Sequence, residues 1–165
     1  MTNLERVVIF GSASLFASFP DIDTCCKPIE SSLDADFILT PAEEKTAKMI
    51  LDAIGVRSVF FQVKGYYADV VSPGLADTFP GKWEERLVPF PGFDRVYALH
   101  PLDLALVKLL IARPKDWALL EAIIGQKLVS LADIRNHFQT ALLGEREATT
   151  IGLNLHELAK KVSGQ

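Results

Sequence analysis

The chain has 165 residues, of which 49% are hydrophobic, and we expect residues 1–165 to form a single domain with its own core. The formal net charge of -4 excludes a protein that attracts nucleic acid through its overall charge, so an RNA partner would need a local basic patch. The two cysteines are adjacent, which excludes a disulfide framework, and no run of about 18 apolar residues occurs, so we expect a soluble, cytoplasmic protein with no membrane partner.

The first part of the chain, residues 1–99, has the patterns of a sheet. Apolar or alternating runs predict strands at residues 6–10, 33–39, 59–63, 67–71, 86–89 and 96–99. The two runs that flank Gly65 are predicted to pair as a hairpin, and residues 20–32 to form a surface loop. A helix is predicted after Thr40, with Thr40 as its cap, Glu43 closing a capping box and Gly55 ending it.

The second part, residues 100–165, has helical spacing almost throughout. Helices are predicted at residues 101–112 and 114–124, and two more are predicted to start at Ser130 with Asp133 and at Asn154 with Glu157. The sequence therefore predicts an α/β (α+β) fold, in which a small mixed sheet is flanked by helices and followed by a helical C-terminal section.

Gly11 and Ser12 stand between the first strand and an apolar, helical stretch at residues 13–19. A turn between a strand and a helix presents backbone N–H groups and a hydroxyl to a phosphate. Most Gly-Ser pairs are ordinary turns, so a phosphate-binding role for this pair depends on the residues around it.

Asp34 and Asp36 lie two residues apart on the second predicted strand, which places both carboxylates on one face about 7 Å apart. Two like charges side by side are costly unless a cation compensates them, and hard cations prefer carboxylate oxygens. A solvated acidic turn is the alternative for an isolated pair. The apolar run at residues 37–39 favours an ordered strand over that alternative.

Asp69 interrupts the β-prone run at residues 66–71. On a neighbouring strand it would complete a metal triad or accept a proton from an acceptor hydroxyl. On an edge strand it would face solvent, and the sequence leaves both interpretations open.

Lys108 lies among the apolar residues of the helix predicted at residues 101–112. There it needs either a route to water or an anionic partner, and a triphosphate would be such a partner. A lysine on an exposed helix face is the alternative. Lys115 follows it in the segment Arg113-Pro114-Lys115-Asp116.

Taken together, Gly11-Ser12, the Asp34-x-Asp36 pair and Asp69 resemble the pattern of the nucleotidyltransferase superfamily. Three later segments are similar to the bacterial DUF6036-type branch of that superfamily, which is related to AbiEii-like toxins: residues 83–88, 99–104 and 108–116. The segment between Ser12 and Asp34 is longer than is usual in the superfamily, which raises the question of whether the phosphate and metal elements still align.

The resemblance implies a Mg²⁺-dependent enzyme that moves a nucleoside monophosphate from a nucleotide triphosphate to a hydroxyl on RNA or protein. Gly11 and Ser12 would contact the β- and γ-phosphates, and Asp34 and Asp36, with Asp69 as a third ligand or base, would bind magnesium. Lys108 and Lys115 would bind or orient the nucleotide, and Asp116 would hold Arg113 or Lys115 in place. An antitoxin or other protein is the partner that the toxin-antitoxin relationship implies. The alternative is a catalytically degenerate module that binds a nucleotide or a partner.

The three histidines, His100, His137 and His156, are too scattered in sequence for a metal motif, and we expect helix-boundary or surface positions for them. Trp83 and Trp117 are interpreted as packing residues.

Overall fold

The computed structural model describes residues 4–22 and 34–164. Within them, five strands form one mixed sheet in the order β3-β2-β1-β5-β4. The strands are β1 (Arg6–Phe10), β2 (Asp34–Thr40), β3 (Tyr67–Val70), β4 (Val88–Pro89) and β5 (Val96–Ala98). β1 runs antiparallel to β2 and parallel to β5, and β3 runs parallel to β2. The predicted mixed sheet is confirmed, although Cys25, Cys26 and most of the predicted loop lie outside the described residues.

Seven α-helices lie in the described part of the chain: α1 (Leu15–Ser18), α2 (Glu44–Ile54), α3 (Val59–Lys64), α4 (Pro101–Ile111), α5 (Pro114–Gly125), α6 (Leu131–Thr140) and α7 (Glu145–Ser163). Short 3-10 segments occur at Ser12–Ser14, Pro73–Thr78 and Trp83–Arg86. The helical C-terminal section is confirmed, including the capping box of Ser130 and Asp133 at the start of α6. None of the helices described is both long and apolar enough to cross a bilayer.

The two faces of the sheet are covered by different helices. Alternate residues of a strand share a face, so Ile38 and its register partner Val8 point to the same side, where both join the main core cluster with residues of α4, α5, α6 and α7. Leu39 and Val70 point to the opposite side, where Ala47 of α2 faces them. Helices of the C-terminal section therefore pack on the first face.

Residues 59–63, predicted as a strand, form helix α3 instead. The Ser58 hydroxyl caps this helix by accepting a hydrogen bond from the Phe61 N–H at 3.1 Å, and Gly65 ends it with φ 78°. Capping at both ends outweighs the strand preference of valine and phenylalanine. The predicted hairpin is also wrong, because β3 pairs in parallel with β2 and parallel neighbours need a crossover connection, which α2 and α3 provide.

Thr40 does not cap a helix. It continues β2 opposite Arg6, and its carbonyl accepts a hydrogen bond from the Glu5 N–H at 2.8 Å. Helix α2 begins at Glu44 with Glu43 at the cap position, and a Glu43 carboxylate oxygen accepts from the Thr46 hydroxyl at 3.0 Å. The predicted end at Gly55 is right.

Asn154 lies inside α7 and does not start a helix. Its amide nitrogen donates to the carbonyl of Leu109 at 2.7 Å, close to the C-terminal end of α4. Asparagine favours caps because its side chain bonds to backbone groups. Here Asn154 bonds to a backbone group of another helix. A local sequence pattern does not reveal such a partner, because Leu109 is distant in the chain.

Candidate active site

Three aspartates lie side by side on the sheet. Asp34 and Asp36 share the face of β2 that carries buried Ile38. The parallel register places Asp69 of β3 beside Asp36 and Tyr67 beside Asp34. Among the residues described, β3 is the last strand on this side of the sheet, so the three carboxylates occupy one face near this edge.

Gly11 adjoins this acidic face. The antiparallel register pairs Phe10 with Asp36, so Gly11, the next residue, follows at the end of β1. Its φ is 74°, and a Cβ at this position would lie 2.5 Å from Oδ2 of Asp36. Only glycine permits both the backbone angle and the close approach of the carboxylate. The strand register thus aligns the Gly-Ser turn with the acidic pair, whatever the length of the intervening segment.

Ser12 begins the 3-10 turn Ser12–Ser14, and α1 follows with four residues. This is shorter than the helical stretch predicted at residues 13–19. The turn is held by Ser14, whose hydroxyl and N–H both donate to the carbonyl of Gly11, at 2.7 and 3.2 Å. So short a helix has a small dipole, so a phosphate here would depend on the backbone N–H groups of the turn.

Lys108 is a buried residue of α4. It is 9% exposed, so the alternative of an exposed surface lysine is wrong. Its Nζ lies 3.0 Å from Oδ1 of Asp116, which is itself almost fully buried. Lys108 also lowers the pKa of Asp36, which means that its charge acts on both carboxylates.

Asp116 holds Lys108 and Arg113 together. Its Oδ2 accepts from Nε of Arg113 at 2.8 Å and from the Arg113 N–H at 3.1 Å. The prediction that Asp116 holds Arg113 is therefore confirmed, but its second partner is Lys108 and not Lys115. Lys115 is exposed, and its positive charge opposes the rise in the pKa of Asp36 less than that of Lys108 does.

Asp36 is the electrostatic centre of the group. Burial raises its pKa, the neighbouring charges of Asp34 and Asp69 raise it further, and Lys108 and Lys115 oppose them. The net direction is upward, so the negative charge at Asp36 is incompletely compensated. A cation or a ligand that brings one would relieve this repulsion.

The three aspartates do not form a preassembled metal cage. In the described ranges, no three His, Cys, Asp or Glu side chains come together as a metal site. The donor chemistry nevertheless fits Mg²⁺, a hard cation that binds through one or two carboxylates and completes its octahedron with substrate phosphates and water. Asp34 and Asp36 suit such a partial set of ligands.

Tyr67 is a residue of this face that sequence reasoning missed. Burial, and then the charges of Asp34, Asp69 and Asp36, raise its pKa, so the phenol stays protonated. Its ring packs edge-on against Phe61, with 5.2 Å between the ring centroids. The signal was present in the sequence, because Tyr67 and Asp69 are two residues apart on one strand and must share a face.

A second polar cluster lies at the start of α4. Asp103 is fully buried and accepts two hydrogen bonds from Arg86, at 2.8 and 2.9 Å. Nε2 of His137 lies 2.7 Å from the same carboxylate, so His137 is not a surface residue, although it lies in the last turn of α6 and so near a helix boundary, as predicted. His100 does cap α4, through Nδ1 and the Leu102 N–H at 3.3 Å. This cluster joins three elements and is separate from the acidic face.

The tryptophans pack as predicted. Trp83 lies edge-on to Phe79 with 5.2 Å between ring centroids, and Nε1 of Trp117 donates to the carbonyl of Ala112 at 3.0 Å.

Comparisons with curated proteins and with solved structures gave no match. A family model described as a nucleotidyltransferase of unknown function (DUF6036) matches residues 1–151. The match spans the Gly-Ser turn, the three aspartates and the segment from Lys108 to Asp116. The chain therefore belongs to the DUF6036 family of the nucleotidyltransferases.

Proposed function

We propose that the protein is a magnesium-dependent nucleotidyltransferase that moves a nucleoside monophosphate from a nucleotide triphosphate to a hydroxyl on RNA or protein. The observation that carries this proposal is the environment of Asp36. Gly11 of one strand lies against it, Asp69 of another lies beside it, and Lys108 of α4 acts on its charge. The proposal is supported because the Gly11 turn and Asp69 adjoin Asp36 and the positive charge of Lys108 opposes the rise in its pKa.

In this function each residue has a role that its position supports. Gly11 and Ser12 line the β- and γ-phosphates with backbone N–H groups and a hydroxyl, while Lys108 and Lys115 attract the triphosphate. Asp34 and Asp36 would hold magnesium, which when bound supplies neutralisation of the charge on the phosphate oxygens. Oδ1 of Asp116 lies 3.0 Å from Nζ of Lys108, so this ion pair would orient the lysine before a nucleotide binds.

Asp69 stands where an acceptor would approach, on the edge strand. The acceptor oxygen forms a bond to the α-phosphorus, the bond to the β-phosphate breaks, and pyrophosphate leaves. Asp69 either takes the proton of the acceptor hydroxyl or serves as a third metal ligand. Catalysis would then come mainly from positioning and charge neutralisation.

Calorimetry with Mg²⁺ and each nucleotide triphosphate tests the binding step. We expect the wild type to bind at least one Mg-nucleotide, and the double variant Asp34→Ala/Asp36→Ala to lose that binding. The same variant should abolish transfer of radioactive nucleotide to cell extract. Asp94→Ala, which removes an exposed aspartate of the loop before β5, is the matched control. A wild-type protein that binds no Mg-nucleotide would refute the enzymatic proposal.

A noncatalytic module that binds a nucleotide or a partner such as an antitoxin is the second candidate. It is favoured by the lack of a preassembled metal cage among the described residues. Tight Mg-nucleotide binding without pyrophosphate release, in the presence of cell extract, would support it over the enzyme.

A further inference from the structure

Exposed apolar side chains concentrate in one short part of the chain. Val56, Val59, Val63 and Tyr66 are 53%, 73%, 71% and 54% exposed, and all four fall within eleven consecutive residues. We call this set the α3 surface. Val59 and Val63 are four residues apart on α3 and therefore lie on one face of it. Exposed apolar side chains that share one face of a helix, as Val59 and Val63 do, are typical of interaction sites when they form a patch.

The α3 surface is well ordered. The Ser58 hydroxyl accepts from the Phe61 N–H at 3.1 Å and donates to the carbonyl of Gly55 at 2.6 Å, which fixes the start of α3. Gly65 ends the helix in the left-handed region. The two valines are thus held outward by a capped helix and are not part of a frayed end.

Two aromatic pairs tie the α3 surface to the acidic face. Phe60 packs edge-on against Tyr66, and Phe61 against Tyr67, with 5.3 and 5.2 Å between ring centroids. Tyr67 in turn is the register partner of Asp34. A molecule bound to α3 would therefore lie near Tyr67, the neighbour of Asp34 on the acidic face.

The charged residues within the segment that carries the α3 surface are both basic. Between Asp52 and Asp69 the sequence contains no acidic residue, and the charged residues there are Arg57 and Lys64, both exposed, in a protein whose net charge is -4. Two lysine or arginine residues are few for an RNA site, which depends on several phosphate contacts. Exposed valines add nothing to base stacking, whereas they suit the apolar side chains of a polypeptide.

We propose that the α3 surface docks a protein acceptor through an apolar, acidic segment and presents its hydroxyl to the acidic face. This inference rests on the proposed transferase function and specifies the class of acceptor. The acceptor's apolar side chains cover Val59 and Val63, and its carboxylates pair with Arg57 and Lys64.

The test uses the full chain, cell extract, Mg²⁺ and nucleotide triphosphates that carry radioactive phosphorus at the α-position. We expect label in material that protease removes and ribonuclease does not. Val59→Asp/Val63→Asp should lower the initial labelling rate about tenfold or more, and Val59→Ala/Val63→Ala, which cannot disturb the helix, should lower it less. Mg-nucleotide affinity should not change in either. Leu153→Asp, at a 67% exposed leucine of α7, is the matched control and should label like the wild type.

Several outcomes would overturn the inference while leaving the transferase proposal intact. Label that ribonuclease removes would make RNA the acceptor, and an unchanged rate in both valine variants would remove α3 from acceptor binding. A wild-type dimer that Val59→Asp/Val63→Asp dissociates in light scattering would assign the surface to a second copy of the chain. Failure of the wild type to bind any Mg-nucleotide would instead overturn the transferase proposal, and the inference with it.

Discussion

Replacing Asp36 with asparagine should stabilise the protein in the absence of magnesium. The pKa of Asp36 is raised by burial and by Asp34 and Asp69, despite Lys108 and Lys115. A carboxyl group whose pKa is higher in the folded than in the unfolded state favours folding when protonated, so its charge at neutral pH costs stability. This cost should grow as the pH rises above the ordinary value of 3.8 and through the raised one.

The size of the effect follows from the strand geometry. Asp34 and Asp36 are about 7 Å apart on one strand, where two like charges repel by about 0.6 kcal/mol in water and about 2.4 kcal/mol at a protein surface with an effective dielectric constant of about 20. Asp69 adds to this repulsion and the two lysines subtract from it. We expect a net gain of about 1 kcal/mol, which corresponds to a rise in Tm of about 2–4 °C for a chain of this size.

Differential scanning calorimetry at neutral pH in EDTA measures this gain, with Asp94→Asn as the control for an exposed aspartate. Adding Mg²⁺ and a nucleotide should then stabilise the wild type more than Asp36→Asn, because the variant has lost a ligand. A lower Tm for Asp36→Asn in EDTA would refute the view that the charge at Asp36 is poorly compensated. Equal stabilisation of both proteins by Mg-nucleotide would remove Asp36 from the binding site.

Three further predictions concern the turn, the second polar cluster and the cooperativity of unfolding. Gly11→Ala should lower Mg-nucleotide affinity in calorimetry by at least about tenfold, because its Cβ would lie 2.5 Å from Asp36 Oδ2; Gly92→Ala, with a similar φ of 81° but nothing within 4 Å, controls for backbone strain and should bind normally. Asp103→Asn should lower the free energy of unfolding in urea by about 3 kcal/mol, since it breaks a buried ion pair with Arg86. Burial raises the pKa of Asp103, but hydrogen bonds from His137 and Arg86 outweigh burial, and the net pKa is lowered. In the wild type, the stabilisation from the charged Asp103 is therefore complete above the ordinary pKa of 3.8, and it is lost as the pH falls through the lowered pKa. Urea unfolding of the wild type should show the same midpoint by tryptophan fluorescence, which reports on Trp83 and Trp117, and by far-UV circular dichroism, and two separate midpoints would contradict the expected single domain.

The sequence alone predicts most of the sheet because its signals are local. Residues 6–10 form β1 as predicted, and the alternation of Asp34 and Asp36 with apolar residues correctly indicates one face of β2. Where the prediction failed at residues 59–63, one local signal outweighed another. These residues prefer strand by composition, but Ser58 caps a helix at its start and Gly65 ends it.

The acidic face could be predicted only in part. Strand periodicity indicates that Asp34 and Asp36 share a face, but it does not indicate that Asp69 lies beside Asp36, since this depends on the register between strands that α2 and α3 separate. The ion pair between Lys108 and Asp116 is beyond local reasoning for another reason. It joins two helices, and only their packing angle decides whether Asp116 meets Lys108 or Lys115.

The link between the two sections of the chain follows from these same contacts. The positive charge of Lys108 on α4 opposes the rise in the pKa of Asp36 on the sheet, and α4 is tied to Arg86 through Asp103 near its start and to α5 through Lys108 and Asp116 near its end. A buried lysine needs an anionic partner, and Asp116 supplies one whether or not a nucleotide is bound. The helical section thus supplies the positive charge of Lys108, and the sheet section supplies the carboxylates that would hold a metal. Neither section contains the complete set, so we propose that the site forms only when both sections fold together.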